Sequence, residues 1–461
     1  MRRLLYEALP IFAQNVACTA EGYRRSRSRF TPHFYRTLAE WEASVHGPLD
    51  KLVLLQRQRL NALVARARAH VPYYRDLPPP SDHPDDREAI ARTLATVEPV
   101  EKTTFREKYA SFLADDRRQR ELVQTATSGT TGTPLLLWHT PERIGEGYAA
   151  VWRQRRAFNA DMSDPFMTFG GQVVVPLRQT RPPYWRTNLY NRQTLFSIYH
   201  ISPSQLVHYV DAMHTTQATY VQGYPSALHL VARALLDAGR PLPEGRLVSV
   251  FTSSESLLAF QREAIEKAFG APVRDHYAAS ELVVSMTACQ LNNLHVDMEF
   301  GIVEVEVQEE TDEFERGPIV VTGLGEDATV LLRYQIRDIG TRLRKPCACG
   351  RPGDVFREVD GRVEDYVATP DGRLIGRLDH IFKEQFDVAE AQILQEDKGS
   401  IDVLVVPGPG YSERSEKKLM REVRMRLGDQ IKVRIQITKA IPREPNGKFR
   451  AVRSEVGRNL P

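Results

Sequence analysis

Apolar and polar positions recur along the chain with different periods, and the changes of period divide it into parts. In LVLLQRQRLNALVARARAHVPYYRDL (52–77) the apolar residues recur at helical spacing until Pro72 ends the pattern. From about residue 120, short β-branched runs such as MTFGGQVVVP (167–176) alternate with helical stretches such as SPSQLVHYVDAMHTT (202–216). This alternation is typical of an α/β architecture in which helices cover a sheet.

Beyond residue 300 the strand period dominates. GIVEVEVQEE (301–310) and TVLLRYQIRDIGTRL (329–343) carry few helical signals, which predicts a β-rich subdomain, and a mixed α+β pattern returns after GRVEDYV (361–367). We therefore predict a large α/β domain with a β subdomain and a small C-terminal α+β domain. The predicted boundaries are an N-terminal helical region packed on the large domain at 1–119, the α/β core with the β subdomain at 120–360, and the C-terminal domain at 361–461.

Composition restricts the function classes. The 461 residues are 42% hydrophobic and 26% charged, as in ordinary globular proteins, and this length favours more than one domain. A net charge of +3 and the lack of a recognition motif argue against nucleic-acid binding. No apolar run approaches the ~18 residues of a membrane span. The basic, apolar start of the chain is predicted to be a packed helix, with docking on a membrane surface as the alternative. Four cysteines indicate a reducing compartment, and we expect the cytoplasm.

The segment TSGTTGTP (127–134) has the composition of an anion-binding loop. Its glycines allow the backbone to approach an oxyanion closely, and its amides and hydroxyls donate hydrogen bonds. It differs from the nucleotide-binding loop that ends in Gly-Lys-Ser/Thr, because Thr133 and Pro134 follow Gly132. A turn without a ligand is the alternative interpretation of this segment taken alone.

Five further segments, in order, support a ligand: VQGYPSALHLVA (221–232), FTSSESLL (251–258), DHYAASE (275–281), RYQIRDIG (333–340) and IPREPNGKFRAV (441–452). Together with TSGTTGTP they resemble the motifs of adenylate-forming enzymes, and most of the chain resembles the phenylacetate–CoA ligase family. The segment DHIFKEQFDVAEAQ (379–392) is more similar to a branch with capsule-cluster adenylating proteins and a deazaflavin-cofactor adenylylating synthetase. The resemblance implies the adenylate-forming fold, in which the small C-terminal domain is a mobile lid, and the cofactors ATP and Mg²⁺.

The resemblance assigns roles around ATP. Glu281 would hold Mg²⁺, since a hard cation prefers oxygen ligands, Tyr277 would stack on adenine, and Asp338 would accept from the ribose hydroxyls. The alternatives are a solvated glutamate, a core aromatic and an ion pair of Asp338 with a neighbouring arginine. The ATP-binding residues implied are Thr127, Ser128, Gly129, Thr130, Thr131, Gly132, Ser254, Glu255, Tyr277, Ser280, Asp338 and Arg362.

Lys448 and Glu281 are the catalytic residues that the resemblance implies. Lys448 lies in the turn PNGK, where its ammonium would stabilise the charge that develops as pyrophosphate leaves. GRVED (361–365) resembles the hinge between the domains, with Arg362 on phosphate and Glu364 at the hinge position. A second Gly-Arg pair, at 376–377, is the other candidate for this motif.

The acid substrate is expected beside these motifs. The segments FGGQVVVP (169–176) and GYPSA (223–227) would line its pocket and favour an aryl or flat acid. Two departures from the family pattern, Ser-Ser-Glu for Gly-Ala-Glu and Ala278 for glycine, add bulk near adenine. The predicted pocket residues are Phe169, Gly171, Tyr224, Pro225 and Ser226.

Two pairs of metal-ligand residues lie far apart in the sequence. Cys289 and His295 stand at C-x5-H, and Cys347 and Cys349 form a C-x-C-G knuckle, which suits a closed tetrahedral Cys3His zinc site of structural type. Structural zinc is also what the resemblance suggests. Buried free thiols, or His295 as an active-site residue, are the alternatives. Cys18 remains outside the set.

These features lead to one principal hypothesis for the activity. The chain activates a small carboxylic acid with ATP, releases pyrophosphate and transfers the acyl group from acyl-AMP to a thiol of CoA or of an acyl carrier protein. The alternatives are adenylyl transfer to a cofactor or sugar, and a non-catalytic scaffold with the adenylate-forming fold. An amine acceptor and a homodimer also agree with the sequence.

Overall fold

The N-terminal region consists of helices. In the computed structural model, the described residues are 2–126, 136–202, 204–360, 366–375, 378, 381, 387–408, 410–442 and 451–456. Local capping explains the helix boundaries: the hydroxyl of Thr31 accepts from the backbone of Phe34, and Pro72 follows the helix that ends at His70. These helices are α1 (Arg2–Ala8), α2 (Ile11–Arg29), α3 (Pro32–Ser44), α4 (Leu49–His70), α5 (Asp86–Ala95) and α6 (Lys102–Glu107).

A mixed sheet forms the centre of the large part. Its parallel half, with the order β5-β3-β6-β7-β8, follows the predicted alternation of strands and helices, and β4 closes the edge in antiparallel pairing with β5. These strands are β3 (Phe166–Gly170), β4 (Trp185–Asn188), β5 (Gln193–Ser197), β6 (Tyr220–Gly223), β7 (Ser249–Ser253) and β8 (Val273–Ala278). The helices are α7 (Pro141–Ala157), α8 (Leu206–Thr215), α9 (Pro225–Asp237) and α10 (Ala259–Phe269).

The sheet changes from parallel to antiparallel at β8, and the predicted β-rich stretch extends it. A separate hairpin of β1 (Val123–Ala126) and β2 (Leu136–His139) lies on either side of the undescribed residues 127–135. The antiparallel order is β8-β9-β10-β15-β14-β13-β11, with β12 beside β13. These strands are β9 (Ser285–Ala288), β10 (Leu294–Val296), β11 (Gly301–Val305), β12 (Glu309–Glu310), β13 (Phe314–Gly323), β14 (Tyr334–Leu343) and β15 (Val355–Asp360).

The C-terminal part has a smaller sheet of order β20-β19-β18-β21 with one helix, α11. It contacts the large part through hydrogen bonds from the hydroxyl of Tyr366 to the carbonyl of Ser226 (2.9 Å) and from Arg373 to the carbonyl of Tyr199 (3.1 Å). Its elements are β16 (Val367–Ala368), β17 (Leu374–Ile375), β18 (Val388–Asp397), β19 (Ser400–Pro407), α11 (Glu413–Leu427), β20 (Lys432–Ile437) and β21 (Val452–Ser454).

The predicted α/β fold with a β-rich extension and a small α+β unit is confirmed by these elements. The domain boundary at 360/361 stays a prediction, and it falls at the start of the undescribed residues 361–365. Within the described residues, none of the helices has the length and apolar character to cross a membrane.

Candidate functional site

A cleft of about 380 Å³ opens where the parallel strands β7 and β8 end. Its walls are the segment 254–259 after β7, the segment 275–281 at the end of β8, and residues of the antiparallel strands β14 and β15. Open α/β sheets bind ligands at the carboxyl ends of their strands. The basic side chains of Lys102, Arg262 and Arg357 also line the cleft, together with six carboxylates, so the cleft offers groups of both charges to a ligand.

Two of the loops at the cleft have an uncommon backbone. Ser254 and Leu282 have φ angles of 72° and 53°, in the left-handed region that non-glycine residues seldom adopt. Ser254 lines the cleft itself, and Leu282 directly follows its wall. Such conformations concentrate at functional sites because the surrounding structure has to hold them. Both angles agree with a functional role for the segments 251–258 and 275–281, which contain Ser254 and immediately precede Leu282.

Glu255 joins two of the predicted motifs. Its carboxylate accepts hydrogen bonds from the backbone N–H of Ser226 (2.9 Å) and from the Ser226 hydroxyl (3.0 Å), in the first turn of α9. An anion is stabilised at a helix N-terminus, where backbone N–H groups lack partners within the helix. Glu255 thus fastens the loop after β7 to the start of α9 while also lining the cleft.

Tyr277 and Asp338 meet across the cleft. The phenol of Tyr277, at the end of β8, donates a hydrogen bond of 2.7 Å to Oδ2 of Asp338 on β14. Both side chains are half-buried and line the cleft. The two residues that the motifs assign to adenine and ribose are thus neighbours, although 61 positions separate them in the sequence.

Glu281 is a buried acid on the same wall. Only 6% of the residue is exposed, and its Oε1 accepts a long hydrogen bond of 3.3 Å from the phenol of Tyr334. A carboxylate held in this way fits the predicted role as a Mg²⁺ ligand, since the ion prefers one or two carboxylates together with water and phosphate oxygens. Ser280, also predicted, lines the cleft beside it.

Two further ionisable residues of the cleft precede Tyr277, and the motif analysis did not single them out. Burial lowers the pKa of His276 to about 4, so its imidazole is neutral near pH 7 and lies 3.0 Å from the Ser285 hydroxyl. Burial raises the pKa of Asp275 to about 6, although Thr252 donates a hydrogen bond to its carboxylate. Their place in the segment DHYAASE, next to Tyr277, was the signal that could have found them.

Several predicted residues lie outside the described residues. They include the phosphate-loop segment, the hinge motif and the catalytic lysine, so their roles stay predictions: Thr127, Ser128, Gly129, Thr130, Thr131, Gly132, Arg362 and Lys448. The hairpin that flanks the phosphate-loop segment is itself fixed, because His139 at the end of β2 contacts Asp327 at 2.5 Å. The alternative Gly-Arg pair at 376–377 also lies outside the described residues.

The predicted acid-pocket residues cluster at the ends of β3 and β6. The carbonyl of Phe169 accepts from the backbone of Tyr224 (3.0 Å), and the carbonyl of Gly171 accepts from the hydroxyl of Tyr199 (2.8 Å). Pro225 and Ser226 open α9. The prediction that the Phe169 side chain lines a pocket is corrected, because alternation along β3 turns it into the core, where it stacks on Phe196.

The four predicted metal ligands come together. The ligand atoms of Cys289, His295, Cys347 and Cys349 all lie within 4.8 Å of one another. The Cys289 and Cys347 sulfurs are 3.9 Å apart, close to the ~3.8 Å edge of a tetrahedron with Zn–S bonds of about 2.3 Å. The three cysteines of the set are free thiols, as is Cys18 elsewhere in the chain. The donor set and its spacing thus fit a closed zinc site. Such a site would join the β9–β10 hairpin to the knuckle before β15.

Sequence comparisons identify known proteins that this chain is similar to. Residues 367–455 match the family model of the CapK C-terminal domain. Over 457 residues the chain is 24% identical to Protein CapK of Staphylococcus aureus, covering 98% of each chain. It is also 24% identical to a phenylacetate-coenzyme A ligase of Aromatoleum evansii over 427 residues, covering 87% of this chain and 94% of that one.

Solved structures resemble the fold as well. A 2-hydroxyisobutyryl-CoA ligase in complex with 2-HIB-AMP and CoA superposes with a TM-score of 0.56 at 18% identity, covering 89% of this chain and 92% of that chain. At this identity the likeness establishes the fold alone. The fold predicted from the sequence motifs is the fold of that enzyme.

Proposed function

Because the chain is a relative of CapK and of the phenylacetate–CoA ligases and has the adenylate-forming fold, we propose that it is an ATP-dependent acid–thiol ligase. A carboxylate oxygen of the acid attacks the α-phosphorus of ATP, the bond to the bridging oxygen breaks, and pyrophosphate leaves. The acyl-AMP then passes its acyl group to a thiol. The observation that carries this proposal is the convergence of Tyr277, Asp338 and Glu281 on one cleft.

The residues that the motifs identify each have a role in the first step, the formation of acyl-AMP. The ring of Tyr277 offers a face to adenine, and the carboxylate of Asp338 accepts from ribose hydroxyls. Glu281 would hold Mg²⁺, which when bound neutralises charge on the phosphate oxygens. Lys448 would add a cation at the α-phosphate, an assignment that rests on its PNGK motif alone.

For the acid we propose an aryl or flat carboxylic acid. The support is the aromatic side chain of Tyr224 at the junction of β6 and α9. A thiol acceptor is supported by the relatives that are named as CoA ligases. Either CoA or a carrier protein's phosphopantetheine supplies such a thiol.

Acid-dependent exchange of labelled pyrophosphate into ATP tests this proposal. A panel of aryl and aliphatic acids should contain substrates, and Asp338→Asn should raise the KM for ATP roughly 10- to 100-fold, since a charged hydrogen-bond acceptor is lost. Lys448→Ala should abolish most of the exchange while ATP still binds. Lys439→Ala, an exposed lysine of the same part, is the matched control and should leave the exchange unchanged.

Each other outcome identifies a different function. Transfer of AMP to a metabolite without any acid would favour adenylyl transfer to a cofactor or sugar. Absence of nucleotide binding by the purified protein would contradict the proposal and leave a binding scaffold. Exchange at the parent rate in Lys448→Ala would remove that lysine from the reaction without affecting the cleft.

We also propose that Cys289, His295, Cys347 and Cys349 hold a structural zinc ion. Four protein ligands complete a tetrahedral shell and leave no open position for a substrate, so the ion when bound would crosslink two segments. The segments are the β9–β10 hairpin, which follows the Glu281 wall, and the knuckle at 347–350.

A further inference from the structure

A second and larger cavity, of about 1340 Å³, lies on one face of the parallel sheet under the N-terminal helices. Its walls come from α2 and α7, and its floor is the sheet face formed by Phe166, Thr168, Gln193, Leu195 and Gln222. The floor residues alternate along β3, β5 and β6 with side chains that point to the opposite face.

The floor of this cavity is polar where a covered parallel sheet is ordinarily apolar. The Gln222 amide donates to the Thr168 hydroxyl at 3.0 Å, and the Gln193 amide donates to the same oxygen at 2.8 Å. Asn188 continues the chain by donating to Gln193 at 3.1 Å. The opposite face carries residues such as Met167, fully buried in the core. Beside the apolar Phe166 and Leu195, the floor thus carries a row of neutral hydrogen-bonding groups that a polar ligand could use.

The charge of the cavity is unbalanced. Among the described lining residues, four arginines stand against two carboxylates, those of Glu21 and Asp161. Glu21 pairs with Arg25 (2.6 Å) and Asp161 pairs with Arg156 (3.2 Å). The two remaining lining arginines are Arg29 and Arg155, and the described residues place no carboxylate within 4 Å of either guanidinium.

Arg155 is the more enclosed of these two. Its guanidinium lies 4.8 Å from the ring centre of Trp152 and 5.7 Å from that of Tyr220, and its buried Nε has no hydrogen-bond partner among the described residues. One Nη donates to the side-chain oxygen of Gln222. The surface that Arg155 keeps open is cavity wall. Buried charges are as a rule paired, so an enclosed cation facing an empty volume indicates an anion from outside the chain.

The cavity is related to the nucleotide cleft through two parts of the chain. Gln172, Val173 and Val174, from the segment predicted for the acid pocket, line the cavity just beyond the carboxyl end of β3. Gln154, the neighbour of Arg155 on α7, donates a hydrogen bond of 2.8 Å to the carbonyl of Asp275, which lines the cleft. The cavity is thus bounded by the segment predicted for the acid pocket and by a helix that also contacts a residue of the cleft.

We propose that this cavity receives the remote end of the acid substrate and that Arg155, aided by Arg29, binds a second anionic group there. The substrate class is thus a carboxylic acid that carries a further carboxylate or a phosphate at the end remote from the activated carboxyl. This inference rests on the proposed acid activation, and it names the substrate more narrowly. Arg155 is a binding residue for specificity and takes no part in the bond changes.

The test compares matched acids in the pyrophosphate exchange. Each monocarboxylic acid of the panel is paired with an analogue that carries a distal carboxylate and one that carries a distal phosphate. In the parent protein one of the dianionic series should have a kcat/KM roughly 10- to 100-fold above its monoanionic partner, the effect of a charged hydrogen bond. Which series responds distinguishes a carboxylate from a phosphate.

Two arginine variants connect the preference to Arg155. Arg155→Met should remove the preference by raising the KM for the dianionic acid, with the KM for ATP unchanged. Arg240→Met, whose arginine is exposed, lies outside the cavity and pairs with Asp211, should keep it. Arg155→Met should also have a thermal midpoint at or above that of the parent without ligand, because an unpaired buried charge is removed. A merely structural arginine would lower the midpoint instead.

The outcomes separate this inference from the proposed function. Exchange with monocarboxylic acids, but no dianion preference, would overturn the inference and leave acid activation intact. Absence of exchange with every acid would overturn the proposed function. Titration calorimetry with the same dianionic acids then decides on the cavity alone: binding that Arg155→Met abolishes supports it, and equal or absent binding overturns it. Arg29→Met repeats the comparison if Arg155→Met fails to fold.

Discussion

At the scale of single residues, Asp275 is an acid of the cleft whose pKa is raised by burial. Burial raises its pKa from the ordinary value of 3.8 to about 6, and a hydrogen bond of 2.7 Å from the Thr252 hydroxyl offsets part of that effect. The folded state disfavours the ionised form of such an acid. The free energy of unfolding therefore falls as pH rises from the unfolded pKa of about 4 to the folded pKa of about 6, and the loss persists at higher pH.

Asp275→Asn should therefore stabilise the protein, and more so at higher pH. The gain in unfolding free energy should be about 1 to 2 kcal/mol at pH 5 and about 3 kcal/mol at pH 8, because the folded carboxyl has lost its proton by then. Thermal midpoints of variant and parent at the two pH values measure it. A midpoint difference that is the same at both values would mean that Asp275 does not titrate between them.

The residues of the cleft also show what sequence motifs can and cannot identify. Tyr277, Glu281 and Asp338 were predicted, because a motif keeps its residue types at fixed spacing and in fixed order, and they line one cleft. Arg155 was not predicted, since its lack of a partner depends on which side chains the fold brings around it. Phe169 was predicted for the pocket because the segment was identified, but strand alternation decides which face its side chain occupies.

At the scale of secondary-structure elements, the last turns of α7 carry three arginines, Arg153, Arg155 and Arg156, with three different environments. Arg153 is fully enclosed and forms ion pairs with Asp297 (2.6 Å) and Glu299 (2.8 Å), whereas Arg155 has no carboxylate partner among the described residues and Arg156 is exposed. The Arg153 network also includes Arg351, which pairs with Asp297 and follows the cysteine knuckle. It therefore ties α7 to the antiparallel half of the sheet.

Methionine substitutions along this helix should give an ordered series. Arg153→Met leaves two buried carboxylates short of a partner and should destabilise the protein by about 3–5 kcal/mol. Arg156→Met, at an exposed position, should change stability by less than about 0.5 kcal/mol. Differential scanning calorimetry of both, beside Arg155→Met and the parent, checks the order. A neutral Arg153→Met would contradict the assignment of Arg153 as the centre of a buried ion network.

A second prediction at this scale concerns the zinc content of the protein and its dependence on the cysteine knuckle. Purified without chelators, the protein should contain one zinc per chain by elemental analysis, and Cys347→Ser should lose the metal and several degrees of thermal midpoint, because the crosslink between the β9–β10 hairpin and the knuckle is removed. Cys18→Ser is the matched control, since its thiol lies by the Tyr6 phenol and outside the cluster. A metal-free parent protein of normal stability would contradict the zinc proposal.

The elements themselves were largely readable from the pattern. The helix that ends at His70 and the strand-rich stretch beyond residue 300 were predicted, since periodicity and proline signals are local. The continuity of the parallel and antiparallel strands as one sheet was not, because it depends on the pairing of β8 with β9. The polar residues in the floor of the second cavity could not be predicted as a group for the same reason. Thr168, Gln193 and Gln222 meet only through strand pairing.

At the scale of the whole molecule, Arg373 connects the C-terminal part to the large part. Its guanidinium donates to the carbonyl of Tyr199 (3.1 Å) in the large part and to the carbonyl of Leu427 (2.8 Å) at the end of α11, and its Nε pairs with Asp371 (2.8 Å). Contacts of this kind set the balance between molecules whose C-terminal part is docked on the large part and molecules in which it is undocked.

Arg373→Ala should shift that balance away from the arrangement described here. The loss of the charged hydrogen bond to the Tyr199 carbonyl, which crosses between the two parts, corresponds to roughly a 10- to 100-fold larger population of undocked molecules. Limited proteolysis at low protease concentration should therefore release a fragment containing α11 faster, because cleavage follows the open population. Arg434→Ala is the matched control, since its arginine is exposed on β20 and pairs with Asp402 of the same unit. Equal cleavage rates for Arg373→Ala and the parent would mean that other contacts hold the C-terminal part, with the hydrogen bond from Tyr366 to Ser226 as the next to remove.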